Sequence, residues 1–193
     1  MTLPEFLRLA PRGDLWIFGY GSLMWSPGFR CSEKSPAKVH GYHRSLCVYS
    51  HRYRGTKARP GLVMGLCRGG SCWGMAFRIA AHQAPRVLAN LWRREMRNRV
   101  YEARFVPARI RGGRRVQALA FVADPIHAQF AGDLSLRRTA ELVLQGRGER
   151  GRNLDYVSST IAHMHELGLR DPHLDRILLA VLSLQARRRA KGA

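Results

Sequence analysis

The sequence has few acidic residues, since 13 Asp and Glu stand against 33 Lys and Arg and leave a formal net charge of +20 at neutral pH. An excess of this size concentrates anions near the surface, so a nucleic acid, an anionic membrane and an acidic small molecule are all compatible with it. No helix-turn-helix, RNP or zinc-finger signature accompanies the arginines. We therefore interpret the charge as a solvated arginine-rich surface and do not expect a nucleic-acid partner.

Long apolar runs are also missing from the sequence. No segment approaches the roughly 20 uninterrupted apolar residues that a membrane-spanning helix needs. The first residues, MTLPEFLRLAPRGD, contain acids and prolines where a secretion signal would be apolar. We therefore expect no membrane partner and a cytoplasmic location.

Cysteine and histidine patterns typical of metal sites are absent as well. The four cysteines are Cys31, Cys47, Cys67 and Cys72. They form no C-x-x-C pair, and three of them fall in apolar segments, which favours buried thiols over disulfides or zinc ligands. His163 and His165 are two positions apart and would diverge on a helix. The sequence therefore predicts no metal site.

The chain has 193 residues, of which 46% are hydrophobic. This apolar content is sufficient for the core of one domain, which we predict over residues 1–193. A basic tail at 187–193 ends the chain. Alternating or apolar segments predict six strands: Leu15–Tyr20, Ser45–Ser50, Gly61–Leu66, Cys72–Ile79, Tyr101–Ile110 and Val116–Ala123. Helical periodicity predicts one helix among them, at 85–97, and three after them, at 135–145, 153–167 and 173–189. Strands first and helices last favour an α+β fold, with an antiparallel or mixed sheet covered by helices.

One candidate motif is Gly19-Tyr20-Gly21-Ser22-Leu23, directly after the first predicted strand. Its glycines allow a sharp turn whose backbone N–H groups could hold an anionic or carbonyl oxygen. Met24 stands where a dinucleotide-binding motif has its third glycine. Tyr20 and Met24 also replace the glycines of a serine-hydrolase nucleophile elbow. Spacing alone leaves a functional loop and an ordinary tight turn both open.

A second candidate is Glu95 in the predicted helix at 85–97. The apolar face of this helix consists of Val87, Leu88, Leu91, Trp92 and Met96. Glu95 falls in the middle of that face, whereas the helical wheel puts Arg93, Arg94 and Arg97 on the opposite side. A carboxylate directed into apolar surroundings would have a raised pKa that suits a general acid or base. The alternative is a structural ion pair with an arginine.

The other candidates lie in a loop and in a late helix. Residues 50–61 are polar, basic and glycine-containing, which suits a loop that holds a substrate carboxylate through arginine forks, or a plain connection. Asn153 has the residue type of an N-cap for the helix that follows it. Tyr156, one turn later, is by itself typical of a packing residue.

Seven blocks in fitting order resemble the ChaC-like γ-glutamylcyclotransferase family over about residues 15–180. They are FGYGSLMWSPGF, GYHRSLCVYSHRYRGT, PGLVMGL, GGSCWGMAFRI, LWRREM, ALAFVADP and GRNLDYVSSTIAHMHELGLRD. The resemblance implies a small barrel-like mixed sheet with flanking helices, and Glu95 as the catalytic acid and base. The residues that it implies for substrate binding are Tyr20, Gly21, Ser22, Leu23, Arg54 and Tyr156.

The implied reaction is cyclisation of a γ-glutamyl group, with the glutathione peptide as the expected substrate and no cofactor. The α-amine of the substrate attacks its own γ-carbonyl, so that 5-oxoproline and Cys-Gly form without a protein nucleophile. Tyr53 replaces the commoner histidine before the RGT block, and the stretch at 57–59 is unusually basic. These departures leave open which γ-glutamyl peptide or amine is preferred. The sequence also leaves open the oligomeric state, a non-catalytic scaffold and a basic nucleic-acid-binding module.

Overall fold

The computed structural model describes residues 1–191. The strands are β1 (Leu15–Gly19), β2 (Glu33–Ser50), β3 (Gly61–Ile79), β4 (Tyr101–Ile110), β5 (Arg115–Ala123), β6 (Arg147–Gly148) and β7 (Gly151–Arg152). The helices are α1 (Leu3–Leu7), α2 (Ala84–Glu95), α3 (Leu136–Gln145), α4 (Asn153–Glu166) and α5 (Pro172–Lys191). Short 3₁₀ helices cover Ser22–Met24 and Ala81–Gln83. Of the predicted basic tail, residues 187–191 belong to α5, and residues 192 and 193 lie outside the described residues.

The first five strands close into a barrel in the order β1-β3-β2-β4-β5. β1 is antiparallel to β3 and parallel to β5, and β4 and β5 form an antiparallel pair from Tyr101↔Ala123 to Arg109↔Arg115. The sheet is therefore mixed. This confirms the predicted α+β architecture with a barrel-like sheet and flanking helices.

The chain divides into two compact units. The first comprises Met1–Arg44 and Gly65–His127, and the second comprises Ser45–Met64 and the chain from Ala128 onward. β2 and β3 therefore contribute residues to both units. The prediction of a single domain stays a prediction.

The core of the first unit depends on apolar strands. All six residues from Ala118 to Ala123 on β5 are buried, as expected for a strand that is covered on both faces. The Phe6 ring of α1 packs 6.3 Å from that of Phe121 and 5.3 Å from that of Trp92 on α2, measured between ring centroids. Complete burial of a side chain such as Phe121 stabilises the fold by roughly 1.5–3 kcal/mol. These contacts hold α2 against the core.

α2 presents its apolar face to this core as predicted, because Val87, Leu88 and Leu91 are buried. Pro85 lies in the first turn, where its missing N–H group costs nothing. The helix ends at Glu95, two residues before the predicted end. The amide of Met96 still donates to the carbonyl of Trp92 over 3.0 Å and closes the last turn.

The second unit contains α3, α4 and α5, whose buried residues include Leu142, Val157, Leu174 and Val181. All three helices agree with the predicted ones to within two residues. Asn153 is not the N-cap of α4, because Arg152 occupies that position. Its fully buried amide instead bonds to the backbone of β3.

Two strands are longer than the sequence indicated. β2 begins at Glu33, although its first half is polar and contains Pro36 and Gly41. Ala37–Val39 pair there with β4, and the side chains of Ala37 and Val39 are buried while Lys38 between them is only half-buried. β3 is continuous where two strands were predicted, since Gly69 and Gly70, both at positive φ, lie within it.

The Asn153 side chain is predicted to be a large contributor to stability. Its Oδ1 accepts from the amide of Leu62 over 2.6 Å, and its Nδ2 donates to the carbonyl of Leu62 over 2.7 Å. Asn153→Ala would leave two buried backbone groups unpaired, at about 1–3 kcal/mol each. We expect the free energy of unfolding, measured by urea denaturation, to fall by at least ~2 kcal/mol.

The matched control is Asn98→Ala, because Asn98 is exposed. This change should alter the free energy of unfolding by less than ~0.5 kcal/mol. Equal effects of the two substitutions would contradict a structural role for the Asn153 amide.

Candidate active site

The loop after β1 begins where the backbones of β1 and β3 lie very close together. At the end of β1, a Cβ atom on Gly74 of β3 would come within 2.3 Å of the Gly19 carbonyl oxygen, so only glycine fits there. The following Tyr20 is buried, and its hydroxyl donates to the carbonyl of Phe121 over 2.5 Å. Tyr20 thereby anchors the start of the loop to β5.

The rest of the loop forms the 3₁₀ helix Ser22–Met24. Its first turn is closed by the Met24 amide, which donates to the carbonyl of Gly21 over 2.9 Å. The amides at the start of a helix have no acceptor within the helix, so those of Ser22 and Leu23 suit an external oxygen. The Leu23 side chain is buried, which anchors the loop to the core.

Sequence reasoning missed Arg44, which is 4% exposed on β2. Its Nε donates to the carbonyl of Tyr20 over 2.5 Å, and its Nη2 donates to the carbonyl of Trp73 over 2.6 Å. The guanidinium also lies 3.9 Å from the Sδ atom of Met24. Strand alternation in step with the buried Leu46 was the signal that could have identified Arg44 as inward-facing.

Glu95 is the last residue of α2, and its side chain is 18% exposed. Burial raises the pKa of the Glu95 carboxyl above its ordinary value, while the charge and hydrogen bond of Arg94 act in the opposite direction. The negative end of the helix dipole also disfavours a carboxylate at this position. The result is a carboxyl that gives up its proton less readily than an exposed one.

Arg94 connects Glu95 to the loop. Its Nε lies 2.9 Å from Oε1 of Glu95, and its Nη2 donates to Oγ of Ser22 over 2.8 Å. Its Nη1 donates to the carbonyl of Ser26 over 2.6 Å and that of Pro27 over 3.3 Å. Arg94 is exposed, as the helical wheel predicted, but its long side chain still reaches the Glu95 carboxylate. Both sequence hypotheses for Glu95 thus have support, a raised pKa and an ion pair.

Arg54 and Tyr156 come together in the second unit. The Arg54 guanidinium lies 5.1 Å from the centroid of the Tyr156 ring, and its Nη1 donates to the carbonyl of Arg150 over 2.5 Å and that of Arg152 over 3.4 Å. Burial lowers the pKa of the Arg54 guanidinium. The Tyr156 hydroxyl accepts from the amide of Met64 over 3.3 Å.

The candidate residues therefore form two groups. The structure places Tyr20, Gly21, Ser22, Leu23 and Glu95 together in the first unit, and Arg54 and Tyr156 together in the second. Within the loop at 50–61, Arg54 binds backbone carbonyls and Arg52 pairs with Glu149 at 2.8 Å. Both guanidinium groups thus already have protein acceptors.

The cysteines are all free thiols. Cys47 and Cys72 are buried as predicted, whereas Cys31 and Cys67 are only half-buried. Among residues 1–191, no three His, Cys, Asp or Glu side chains lie close enough to form a metal site. None of the helices within this range has the length and apolar character required to span a bilayer.

Comparison with known proteins gives consistent matches. A family model described as ChaC-like protein matches residues 15–184. The glutathione-specific gamma-glutamylcyclotransferase of Escherichia coli is 34% identical over 174 residues, which cover 90% of this chain and 75% of that protein. Glutathione-specific gamma-glutamylcyclotransferase 1 of Homo sapiens is 33% identical over 182 residues, which cover 89% of this chain and 82% of that protein.

A solved structure of a yeast gamma-glutamyl cyclotransferase specific to glutathione superimposes with a TM-score of 0.80 at 19% identity, over 89% of this chain and 96% of that one. At this identity the likeness establishes the fold. These relatives carry enzyme names, so the alternative of a nucleic-acid-binding module is not favoured.

Glu95→Gln tests the electrostatic environment of the carboxyl. Because the pKa of Glu95 is raised in the folded state, the folded chain holds this proton more tightly than the unfolded chain does. The group therefore lowers stability as the pH rises through its folded pKa. We expect Glu95→Gln to unfold with a free energy at pH 7 equal to or above that of the unaltered chain. This difference should vanish below the ordinary glutamate pKa of about 4.3.

Urea denaturation across a pH series measures the effect, with Glu102→Gln as the control. Glu102 is 43% exposed and pairs with Arg104, so its loss should change stability by less than ~1 kcal/mol. A loss of several kcal/mol on Glu95→Gln at pH 7 would instead identify the Arg94 ion pair as the dominant interaction.

Proposed function

The chain belongs to the ChaC-like protein family, and we propose that it is a γ-glutamylcyclotransferase that cleaves glutathione to 5-oxoproline and Cys-Gly. The observation that carries this proposal is the family match over residues 15–184, with relatives named as glutathione-specific enzymes at 33–34% identity. The half-buried Glu95 beside the loop at Tyr20–Leu23 supports a site of that kind.

The reaction balances without a cofactor or a protein nucleophile. The glutamyl ammonium first loses a proton, and its nitrogen then attacks the γ-carbonyl carbon of the same residue. The new C–N bond closes the five-membered lactam, and the ring nitrogen then gives up a second proton. The bond from that carbon to the cysteine nitrogen breaks, and the leaving nitrogen takes up two protons in all, so that Cys-Gly departs with an ammonium group. Holding the amine against the carbonyl lowers the activation free energy of this intramolecular attack, because the entropy of bringing the two groups together is lost on binding.

Glu95 fits both proton transfers. As a carboxylate it accepts the ammonium proton, and as a carboxylic acid it returns that proton to the leaving amine. A pKa that burial raises brings a glutamate nearer to the working pH, where one group can serve efficiently in both forms.

The loop fits stabilisation of the oxygen. When the amine adds to the γ-carbonyl, negative charge develops on the carbonyl oxygen, and donors already in place stabilise it best. The amides of Gly21, Ser22 and Leu23 are our candidates, since they lie at the start of a 3₁₀ helix. Arg44 and the Tyr20 hydroxyl hold this backbone in position from within the unit.

Arg54 and Tyr156 are proposed as substrate-binding residues of the second unit. A guanidinium has five N–H donors, and Nη1 of Arg54 donates to the carbonyls of both Arg150 and Arg152. The other donors are therefore suited to a carboxylate of the peptide. The Tyr156 ring stacks against the same guanidinium and limits its orientation.

A cytoplasmic location is part of the proposal. All four cysteines are free thiols, which is the usual state in a reducing compartment. The closest rival function is cyclisation of other γ-glutamyl peptides or amines. Mass spectrometry after separate incubation with glutathione, γ-Glu-Cys and γ-glutamyl-ε-lysine would distinguish them, and a preference for either of the last two would replace glutathione as the substrate.

Acetylation of the substrate amine tests the mechanism. We expect glutathione to yield 5-oxoproline and Cys-Gly, and N-acetylglutathione to yield neither, because the acetylated nitrogen cannot attack the γ-carbonyl. Product analysis by mass spectrometry measures both. Ordinary turnover of the acetylated peptide would indicate hydrolysis and exclude cyclisation.

Glu95→Gln tests the catalytic assignment. Glutamine keeps the shape of the side chain but cannot accept a proton, so kcat should fall by at least ~10²-fold, the lower end of what a positioned acid or base contributes. Steady-state kinetics with glutathione measure this, and Glu102→Gln should leave kcat unchanged. A folded Glu95→Gln variant with near-normal kcat would remove Glu95 from the mechanism.

A further inference from the structure

The Arg94 side chain uses all three of its guanidinium nitrogens on two separate segments. Nε bonds to Glu95 at the end of α2, while Nη1 and Nη2 bond to the segment Ser22–Pro27. We propose that Arg94 is a positioning residue, which sets the Glu95 carboxylate and the oxygen-binding loop at one fixed separation. This inference rests on the proposed function.

The geometry requires an arginine. A planar guanidinium directs its donors in fixed directions, so it can hold a carboxylate, a hydroxyl and a carbonyl at the same time. The distances of 2.9 Å to Glu95 and 2.8 Å to Ser22 are typical of hydrogen bonds, and the distance of 2.6 Å to Ser26 is slightly shorter. A lysine ammonium is a single point and would reach only part of this set.

Stability alone does not account for the arrangement. The Arg94 side chain is 32% exposed, so water screens part of its attraction to the Glu95 carboxylate. The bonds of Nη1 and Nη2 to the segment Ser22–Pro27 add nothing to that ion pair. The neighbouring Arg93 gives a comparison, because its hydrogen bond shown here stays within α2. Its Nη2 bonds to Oδ1 of Asn90 over 2.6 Å, one turn back on α2.

Arg94 also acts on the charge state of Glu95. Its charge and its hydrogen bond lower the pKa of the Glu95 carboxyl, against the effect of burial. Two other charged side chains of α1 and α2 bond elsewhere, since Glu5 accepts from the Thr2 amide and Arg93 donates to Asn90. Arg94 thereby favours the carboxylate form of Glu95, which is the form that takes the first proton, although burial still leaves the pKa of this carboxyl raised.

The experiment compares four variants with the unaltered chain. Arg94→Met removes both the charge and the three-way contact, Arg94→Lys keeps the charge, and Ser22→Ala removes the loop hydroxyl alone. Arg93→Met is the matched control, because it removes one positive charge from the same helix. The measurements are kcat and KM for glutathione as a function of pH, the thermal midpoint, and the Glu95 pKa by carbon NMR of the labelled carboxyl.

We expect Arg94→Met to reduce kcat by ~10- to ~100-fold, the range in which small misplacements of reacting groups act. It should also move the acidic limb of the pH profile and the NMR titration of Glu95 to higher pH. Arg94→Lys should restore the acidic limb while kcat stays reduced, and Ser22→Ala should lower kcat without moving the limb. Arg93→Met should resemble the unaltered chain in every measurement.

Several results would overturn the role of Arg94. One such result is an active unaltered protein with an Arg94→Met variant whose kcat and pH profile match those of Arg93→Met. Another is an Arg94→Met variant whose activity falls only in proportion to the fraction of unfolded protein. Full recovery of kcat in Arg94→Lys would show that only the positive charge of Arg94 matters, and it would contradict a role in positioning Glu95 and the loop. Absence of glutathione turnover by the unaltered chain would instead overturn the proposed function, and this role with it.

Discussion

Withdrawal of the Glu95 carboxylate from water is the constraint on which the candidate site depends. A buried carboxylate must be paired or protonated, and at the C-terminal end of a helix no backbone N–H group is available to it. Arg94 supplies the pairing in part, and the pKa of Glu95 remains raised. The same burial that costs folding free energy therefore raises the pKa of this carboxyl, which is the shift that the proposed acid and base role requires.

Buried polar side chains in both units follow a common pattern, in which they bond to backbone rather than to opposite charges. Arg44 holds the carbonyls of Tyr20 and Trp73, and Asn153 holds both backbone groups of Leu62. Within residues 1–191, every buried side-chain nitrogen or oxygen atom has a hydrogen-bond partner. Such fully satisfied contacts keep a loop rigid without burying a second charge, which is what a preorganised oxygen-binding site requires.

The arginine excess has more than one role. Basic residues outnumber acidic ones, 33 to 13, and most arginines within residues 1–191 are exposed, as the sequence led us to expect. Others are structural, such as Arg78, which pairs with Asp14 at 2.7 Å, and Arg54, which binds backbone carbonyls. A positive field of this size also raises the local concentration of an anionic peptide, so charge and proposed substrate agree.

The sequence by itself determined the fold class, most of the helices and strands, and the placement of Glu95 on the apolar face of α2, because these depend on short-range periodicity. The ordered motifs also indicated the family. Only the tertiary structure decided that β2 begins at Glu33, that Arg44 bonds to the carbonyls of Tyr20 and Trp73, and that Arg94 contacts both Glu95 and Ser22. The last contact joins residues 72 positions apart, and that of Arg44 with Trp73 spans 29 positions. Pairings of this kind arise from the register of strands and the direction of long side chains, neither of which a local pattern of apolar and polar residues encodes.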